Sequence, residues 1–349
     1  MEELLLNQPS PKEKRKSPPQ PVVAAPPERR VPFPLRDLGF FVLRRLASLL
    51  LVVIVIVFIC HLCLNFGQLN SPTFFVRAVV VPEVPPTFWE VLGQSLTDTG
   101  HYLGQLLRGS LGNQVGVPAI PVGETLRRVY GRSMLLLGLA LLLGAALGIL
   151  SGIYSARRRH RLVAALASTV ANLGTTTPSF FLAVFLQATV LALGWHFLPV
   201  GGMGNSPREA VRSLVLPVIV LAVRPFAYMT QVTHTALAEA FDSDYARTAR
   251  AKGLAWRTVL RRHAVPNVLI PILSMLGNTL RFSLSSLPVV EVLFGRDGLG
   301  RMLVLALQRC DPPLTTGLVL AMAVTFLTIS LVLDILYRFL DPRLREVPL

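Results

Sequence analysis

DYARTARAKGLAWRTVLRRHAVPN, residues 244–267, carries six basic side chains (Arg247, Arg250, Lys252, Arg257, Arg261 and Arg262) against one acid, Asp244. The segments on both sides of it are apolar enough to cross a bilayer. Asp242, Ser243 and Asp244 suit the N-cap and first turn of a helix, whose dipole favours negative groups at that end. Tyr245, Ala249 and Lys252 then recur at helical spacing, and Gly253 can take the left-handed conformation that closes a helix. A second short helix is expected from Trp256 to His263, with Pro266 stopping it and starting the return into the membrane. A helix lying on a lipid surface buries large apolar residues. This one offers Ala246, Ala249 and Ala251, bordered by arginines able to pair bidentately with carboxylates. The pattern is that of a protein-docking segment whose small residues let a partner surface come close.

The rest of the chain supports a membrane setting. Of 349 residues, 52% are hydrophobic and only 15% charged, where soluble chains carry roughly a quarter charged. Uncharged runs near 20 residues recur, the length that crosses a hydrocarbon core. The net charge of +15 gathers in the N-terminal tail, in short loops and at span ends. That distribution follows the positive-inside rule and argues against nucleic-acid binding.

The spacing of apolar runs predicts an all-α polytopic protein with six spans, at about 46–66, 133–154, 162–195, 214–237, 267–294 and 314–340. Residues 1–36 hold nine prolines and seven Lys or Arg and read as a disordered, basic cytoplasmic tail. Residues 37–349 form the membrane domain, with an outer loop at 67–131 and a cytoplasmic segment at 239–266. Six spans place both termini on the cytoplasmic side, together with the basic runs at 157–161 and 244–263. Gly144, Gly148 and Gly152 share one face of the second span and invite close approach of a neighbouring helix. Pro178 in TTTPSFF should kink the third span. Cys60, His61 and Cys63 form C-H-L-C, but no second ligand cluster lies nearby. Packed thiols are therefore the better reading, and no metal is expected.

DYARTARAKGL and RHAVPNVLIP resemble, nearly residue for residue, the cytoplasmic coupling motif of ABC importer permeases in the dipeptide/oligopeptide/nickel branch. Gly253 holds that motif's glycine, Ala249 its last alanine and Val265-Pro266 its final pair, while His263 replaces an isoleucine. The likeness extends over roughly residues 40–345 through LGWHFLPVGG, LPVIVLAVRPFAYMTQVTHTAL, EVLFGRDGLGRMLVLALQRCD and LVLDILYRFLDPRLR. The chain departs from the branch at CHLCLNFGQLN and at Asp297, both on the outer side.

The resemblance implies a type I ABC importer permease fold in the bacterial cytoplasmic (inner) membrane. It implies a non-catalytic subunit forming the translocation pathway for peptides or a related small solute. Its partners would be a second homologous permease, two ATP-binding subunits and an extracytoplasmic substrate-binding protein. Asp244, Tyr245, Arg247, Ala249, Arg250, Ala251, Lys252, Gly253, Leu254 and Pro266 would couple to an ATP-binding subunit. Consistently, the chain lacks G-x-x-x-x-G-K-[ST], so it needs no cofactor of its own and ATP would be held by partners.

Two arginines fall inside predicted spans. Arg224 and Arg281 should both lie near mid-bilayer, where an unpaired guanidinium costs several kcal/mol and normally faces a cavity or a partner. Arg281 replaces the small residue usual in the family. With Glu291 they are candidates for the pathway lining, the other reading for the arginines being a pair with an acidic residue of a neighbouring helix or of a second permease subunit. Asp334 and Glu291 match family positions with structural or gating roles. A secondary transporter would show internal repeats and paired mid-span acids, which are not seen. A membrane anchor or receptor would leave residues 244–267 unexplained.

Overall fold

The computed structural model describes residues 35–70, 87–115, 120–157, 169, 171–204, 206–309 and 311–340. The tail expected over 1–36 lies outside them, apart from Leu35 and Arg36, which open the first helix; so does most of the basic run at 157–161. Ten α-helices are described: α1 (Leu35–Asn70), α2 (Phe88–Leu107), α3 (Val122–Arg157), α4 (Ser179–Ala192), α5 (Pro207–Asp242), α6 (Asp244–Ala251), α7 (Trp256–Val259), α8 (Val265–Leu293), α9 (Leu299–Gln308) and α10 (Pro312–Leu340). A helical run at 171–176 precedes α4, and one π-helical turn, Leu260–Ala264, joins α7 to α8. The described residues from Arg45 onward form one unit.

Among the described residues, five helices are long and apolar enough to cross a membrane: Leu43–Phe66, Val122–Ala156, Pro207–Asp242, Val268–Leu293 and Pro312–Leu336. The segment expected as the third span is different. It breaks at Pro178, which is extended (φ −64°, ψ 139°), leaving α4 with 14 residues, fewer than the ~20 a span requires. Proline has no N–H to continue the ladder and pushes the residue before it out of helical geometry. Residues 158–168, which would supply the other half, lie outside the described part.

The helix of the second expected span, α3, is longer than its uncharged run. Residues 122–131, expected in the outer loop, are the first turns of α3. Val122 and Val129 on that stretch are buried against Leu299, Ala306, Leu314 and Leu318. Arg127, Arg128 and Arg132 hide this apolar period in the sequence, since they occupy the opposite faces of the same turns.

α3 and α5 pack along the glycine stripe. A Cβ on Gly144 would stand 2.5 Å from the Ala222 carbonyl oxygen, and one on Gly152 would stand 2.5 Å from Thr233 Cβ. Absent side chains on α3 thus let its backbone touch α5, and Thr230 on α5 donates a 3.3 Å hydrogen bond to the Gly148 carbonyl. Leu136, Leu137 and Ala140 of α3 continue the contact into a core with Leu216, Val220 and Leu221 of α5 and Leu284, Leu287 and Val290 of α8. α5 therefore lies between α3 and α8, although Pro217 and Pro225 interrupt its ladder.

On the opposite flank, α2 lays Val91, Ser95, Thr99 and Tyr102 inward. Asn65 of α1 donates to Ser95 Oγ at 3.0 Å and to Asp98 at 3.1 Å. The C-H-L-C residues diverge. Cys60 Sγ lies 3.6 Å from Thr316 Oγ1 of α10, His61 Nδ1 bonds the Val57 carbonyl of its own helix at 2.9 Å, and Cys63 is exposed. Asp334 of α10 forms an ion pair with Arg45 of α1.

Candidate coupling segment and membrane-depth arginines

α5 ends at Asp242, and Ser243 alone adopts an extended conformation (φ −69°, ψ 156°) before α6 begins. Chain direction therefore changes over one residue. α6 closes as the sequence expects: Gly253 has φ +78°. Its N–H donates to the Arg250 carbonyl at 2.9 Å and the Leu254 N–H to the Ala249 carbonyl at 3.3 Å. These two bonds make a Schellman motif, which satisfies carbonyls that a helix end otherwise leaves free.

Two expectations about this segment are corrected. Ala246 (0% exposed) and Ala249 (4% exposed) are not on a partner-facing surface but are packed within the chain, against Val259 and Phe241. Their small size allows α6 to sit close to its own neighbours. Ala251 stays exposed, and the outward surface is made by Tyr245, Arg247, Thr248, Ala251, Lys252 and Leu254. Pro266, expected to end a separate helix, instead occupies the first turn of α8. There its missing N–H costs nothing, because the first N–H groups of a helix have no intrahelical acceptor. The π turn at Leu260–Ala264 absorbs the change of direction in place of a break.

The charges divide by role. Arg250 turns back, its Nε donating to the Ala246 carbonyl at 3.3 Å and a terminal nitrogen to the Phe241 carbonyl at the end of α5. It ties α6 to the span before it. Arg247 stands 3.8 Å from Asp244, both highly exposed, a pairing that contributes little at a wet surface. Its guanidinium is available to a partner carboxylate. Beneath the segment, Leu237, Ala240, Leu260, Ala264 and Val268 form one core with Ile153 of α3 and Trp256. Phe241 and Trp256 rings lie 5.7 Å apart. A displacement of α6 would thus be carried into α3, α5 and α8 together. Tyr245 also borders an open groove of about 260 Å³ shared with Ala236, Glu239, Ala240, Val268 and Pro271.

Deeper in the membrane domain, Arg224 is the eighteenth of 36 residues in α5 and Arg281 the seventeenth of 29 in α8. The Arg224 guanidinium lies 5.6 Å from the centre of the Phe282 ring, and Tyr228 stacks on that ring at 6.1 Å and 12°. Among the described residues, the buried Nε atoms of both arginines have no hydrogen-bond partner. Among the described residues no acidic side chain pairs with either.

Glu291, a candidate for the pathway lining, has another task. It is 1% exposed. Ser133 Oγ of α3 donates to it at 2.5 Å and the Gly300 N–H at 2.7 Å, while the Leu299 N–H donates to Ser133 Oγ at 2.8 Å. The carboxylate thus holds the N-terminus of α9 against α3, and Gly298 leaves it room, since a Cβ there would collide with the carboxylate. Anions at a helix N-terminus are favoured by its free N–H groups and dipole. The sequence signal for this role is E-V-L-F-G-R-D-G-L-G, an acid followed by glycines at a helix start. Just beyond, burial pulls the Arg296 guanidinium below its usual pKa, opposed by the nearby Glu291 charge. Arg296 donates to Ser213 of α5 at 2.9 Å. Replacing the carboxylate, Glu291→Ala, should strand two buried donors at about 1–3 kcal/mol each. The melting temperature of the purified protein is expected to fall by several degrees; an unchanged value would refute the anchoring role.

The loop around Leu198–Gly202 seats on the same corner. Gln187 of α4 donates to the Val200 and Leu293 carbonyls at 2.8 and 3.1 Å, and the Gly202 N–H to the Phe294 carbonyl at 2.9 Å. Asp297 pairs with Arg301 at 2.7 Å and lies 3.6 Å from Arg132.

A family model described as binding-protein-dependent transport system inner membrane component matches residues 148–346, which include α5 through α10 and the Gly253 turn. A peptide transport system permease protein of Brucella abortus is 29% identical over 313 residues, covering 87% of this chain and 98% of its own. The glutathione transport system permease protein GsiC of Shigella flexneri is 31% identical over 246 residues, covering 70% and 78%. Among solved structures, an amino acid ABC transporter with histidines aligns at a TM-score of 0.48 and 18% identity, over 63% of this chain and 94% of its own. A multi-pass helical chain, a matching family model and the Brucella and Shigella relatives lead to one assignment: the chain belongs to the binding-protein-dependent transport system inner membrane components, the permease subunits of ABC importers.

Proposed function

We propose that this permease works in a bacterial cytoplasmic membrane as one of two translocating subunits of an importer for peptides or a related small solute. Two ATP-binding subunits on the inside and a substrate-binding protein on the outside complete the machine, and both termini lie on the inner side. The exposed surface of α6 and the Gly253 turn docks in a cleft of an ATP-binding subunit. When that subunit closes on ATP, α6 moves with it, and the core under α6 passes the movement to α3, α5 and α8. The chain itself is non-catalytic; it carries no phosphate-loop sequence, so partner subunits would bind and hydrolyse the nucleotide.

The observation that supports this reading most is the mounting of α6. Its outer face is basic and, apart from the exposed Arg247–Asp244 pair, makes no ion pair among the described residues, while Ala246, Ala249 and Arg250 fasten its inner face to the spans. The peptide class rests on the Brucella and Shigella relatives, whose names specify peptide and glutathione transport. The test is reconstitution of the chain with its co-encoded permease, ATP-binding subunits and binding protein in liposomes. Uptake of labelled peptides is expected only with ATP inside and binding protein outside the inward-transport face. Uptake driven by an ion gradient without ATP would overturn the proposal.

A further inference from the structure

Arg224 and Arg281 are held at membrane depth with a charge that nothing described in the chain neutralises. Each has a buried Nε without a partner, and Arg224 rests on Phe282, itself stacked with Tyr228. An aromatic face positions a guanidinium through its quadrupole but leaves its positive charge and most of its donors free. A bare charge at this depth is costly, so an anion or water must meet it when the transporter is assembled.

The source of such an anion is limited by the sequence. From Ala210 to Ala238 and from Tyr245 to Val290 there is no Asp or Glu, and none occurs in Thr125–Arg157 or Pro312–Leu333. A second copy of this chain could therefore bring no carboxylate to mid-membrane; it would bring two more arginines. We propose that Arg224 and Arg281 are the membrane-depth recognition site for a carboxylate of the cargo, making the solute class an organic anion such as a peptide with a free C-terminus. The Phe282–Tyr228 stack, with Phe282 39% exposed, provides an apolar face for the part of the cargo next to that carboxylate. Guanidinium groups suit this task because their fork matches a carboxylate bidentately. This inference rests on the importer reading above and specifies its substrate.

The test uses the whole importer in liposomes and a mixture of tripeptides, each present as the free acid and as its C-terminal amide. Accumulated peptides are identified by mass spectrometry, and the yield of assembled complex is measured in the same preparations. The wild type should favour free acids. Arg281→Gln should retain assembly and lower the acid-to-amide ratio roughly tenfold, the effect of losing one charge-assisted hydrogen bond. Arg281→Lys should restore part of that ratio, and Arg224→Gln should shift it in the same direction. Peptide uptake by the wild type without preference for acids would overturn the inference and leave the peptide reading intact. Unchanged preference in Arg281→Gln, or failure of that variant to assemble while Arg281→Lys assembles, would overturn it in favour of an ion pair with a dissimilar partner subunit. No uptake of any peptide would sink the peptide reading and this inference with it.

Discussion

Gly253→Val is expected to yield an importer that assembles in the membrane but whose ATP hydrolysis no longer responds to cargo-loaded binding protein. Gly253 has φ +78°, and a Cβ built on it meets nothing within 4 Å. Space is therefore not the obstacle. The obstacle is the left-handed backbone, which costs a residue with a Cβ about 1–2 kcal/mol and a β-branched one more. Relief requires φ to become negative, which breaks the bonds from Gly253 to Arg250 and from Leu254 to Ala249. Lys252 and Leu254 would then leave the surface they share with Tyr245 and Arg247. The cores of the spans lie elsewhere, so insertion and folding should persist. Asparagine tolerates this conformation far better, so Gly253→Asn should keep much of the stimulation. Both variants are compared by stimulated ATPase in proteoliposomes at equal assembled protein. Normal stimulation in Gly253→Val would show that the turn geometry is not part of coupling.

Gly148→Val should have the opposite profile, with little folded protein recovered at all. A Cβ at this position would stand 2.6 Å from both Met229 Cβ and the Phe226 carbonyl oxygen. Real Cβ atoms do not approach so closely, and a carbonyl in a helix cannot rotate away as a side-chain tip can. α3 and α5 would have to separate, opening the packing at Gly144 and Gly152 on the same stripe. Overpacking of a dense interface costs typically about 1–3 kcal/mol, and rigid backbone places this case at the upper end. Loss of the monodisperse peak in detergent chromatography, with a fall in melting temperature for whatever survives, is the expected observation. Gly138, whose Cβ would meet nothing within 4 Å, serves as the control: Gly138→Val should be recovered normally. Equal recovery of the two variants would refute the close-packing account.

The glycine at 253 was legible because its role is local. A helix closing at a glycine, with short-range bonds back to Ala249 and Arg250, is specified by a handful of neighbouring residues. Composition and the lengths of apolar runs were likewise enough for a multi-pass helical chain, since the bilayer imposes a minimum span on any backbone that must satisfy its own hydrogen bonds. The early start of α3 was not legible. Val122 and Val129 become core residues only because α9 and α10 arrive from 170 and more residues later in the chain, and the arginines between them mask the pattern.

Glu291 shows the same limit at the candidate site. An acid near a span end in a transporter reads as a pathway residue, yet here Ser133 and the N-terminus of α9 claim its oxygens. Ala246 and Ala249 show it again: helical periodicity marks a small-residue face but not which neighbour that face meets. From sequence alone came the element types, the docking segment's chemistry and the mid-span position of Arg224 and Arg281, all set by local preference or by hydropathy along one segment. Which faces turn inward, which charge is an anchor, and that Arg224 lies over Phe282 without a carboxylate were decided by tertiary packing, because burial and pairing depend on residues distant in the chain.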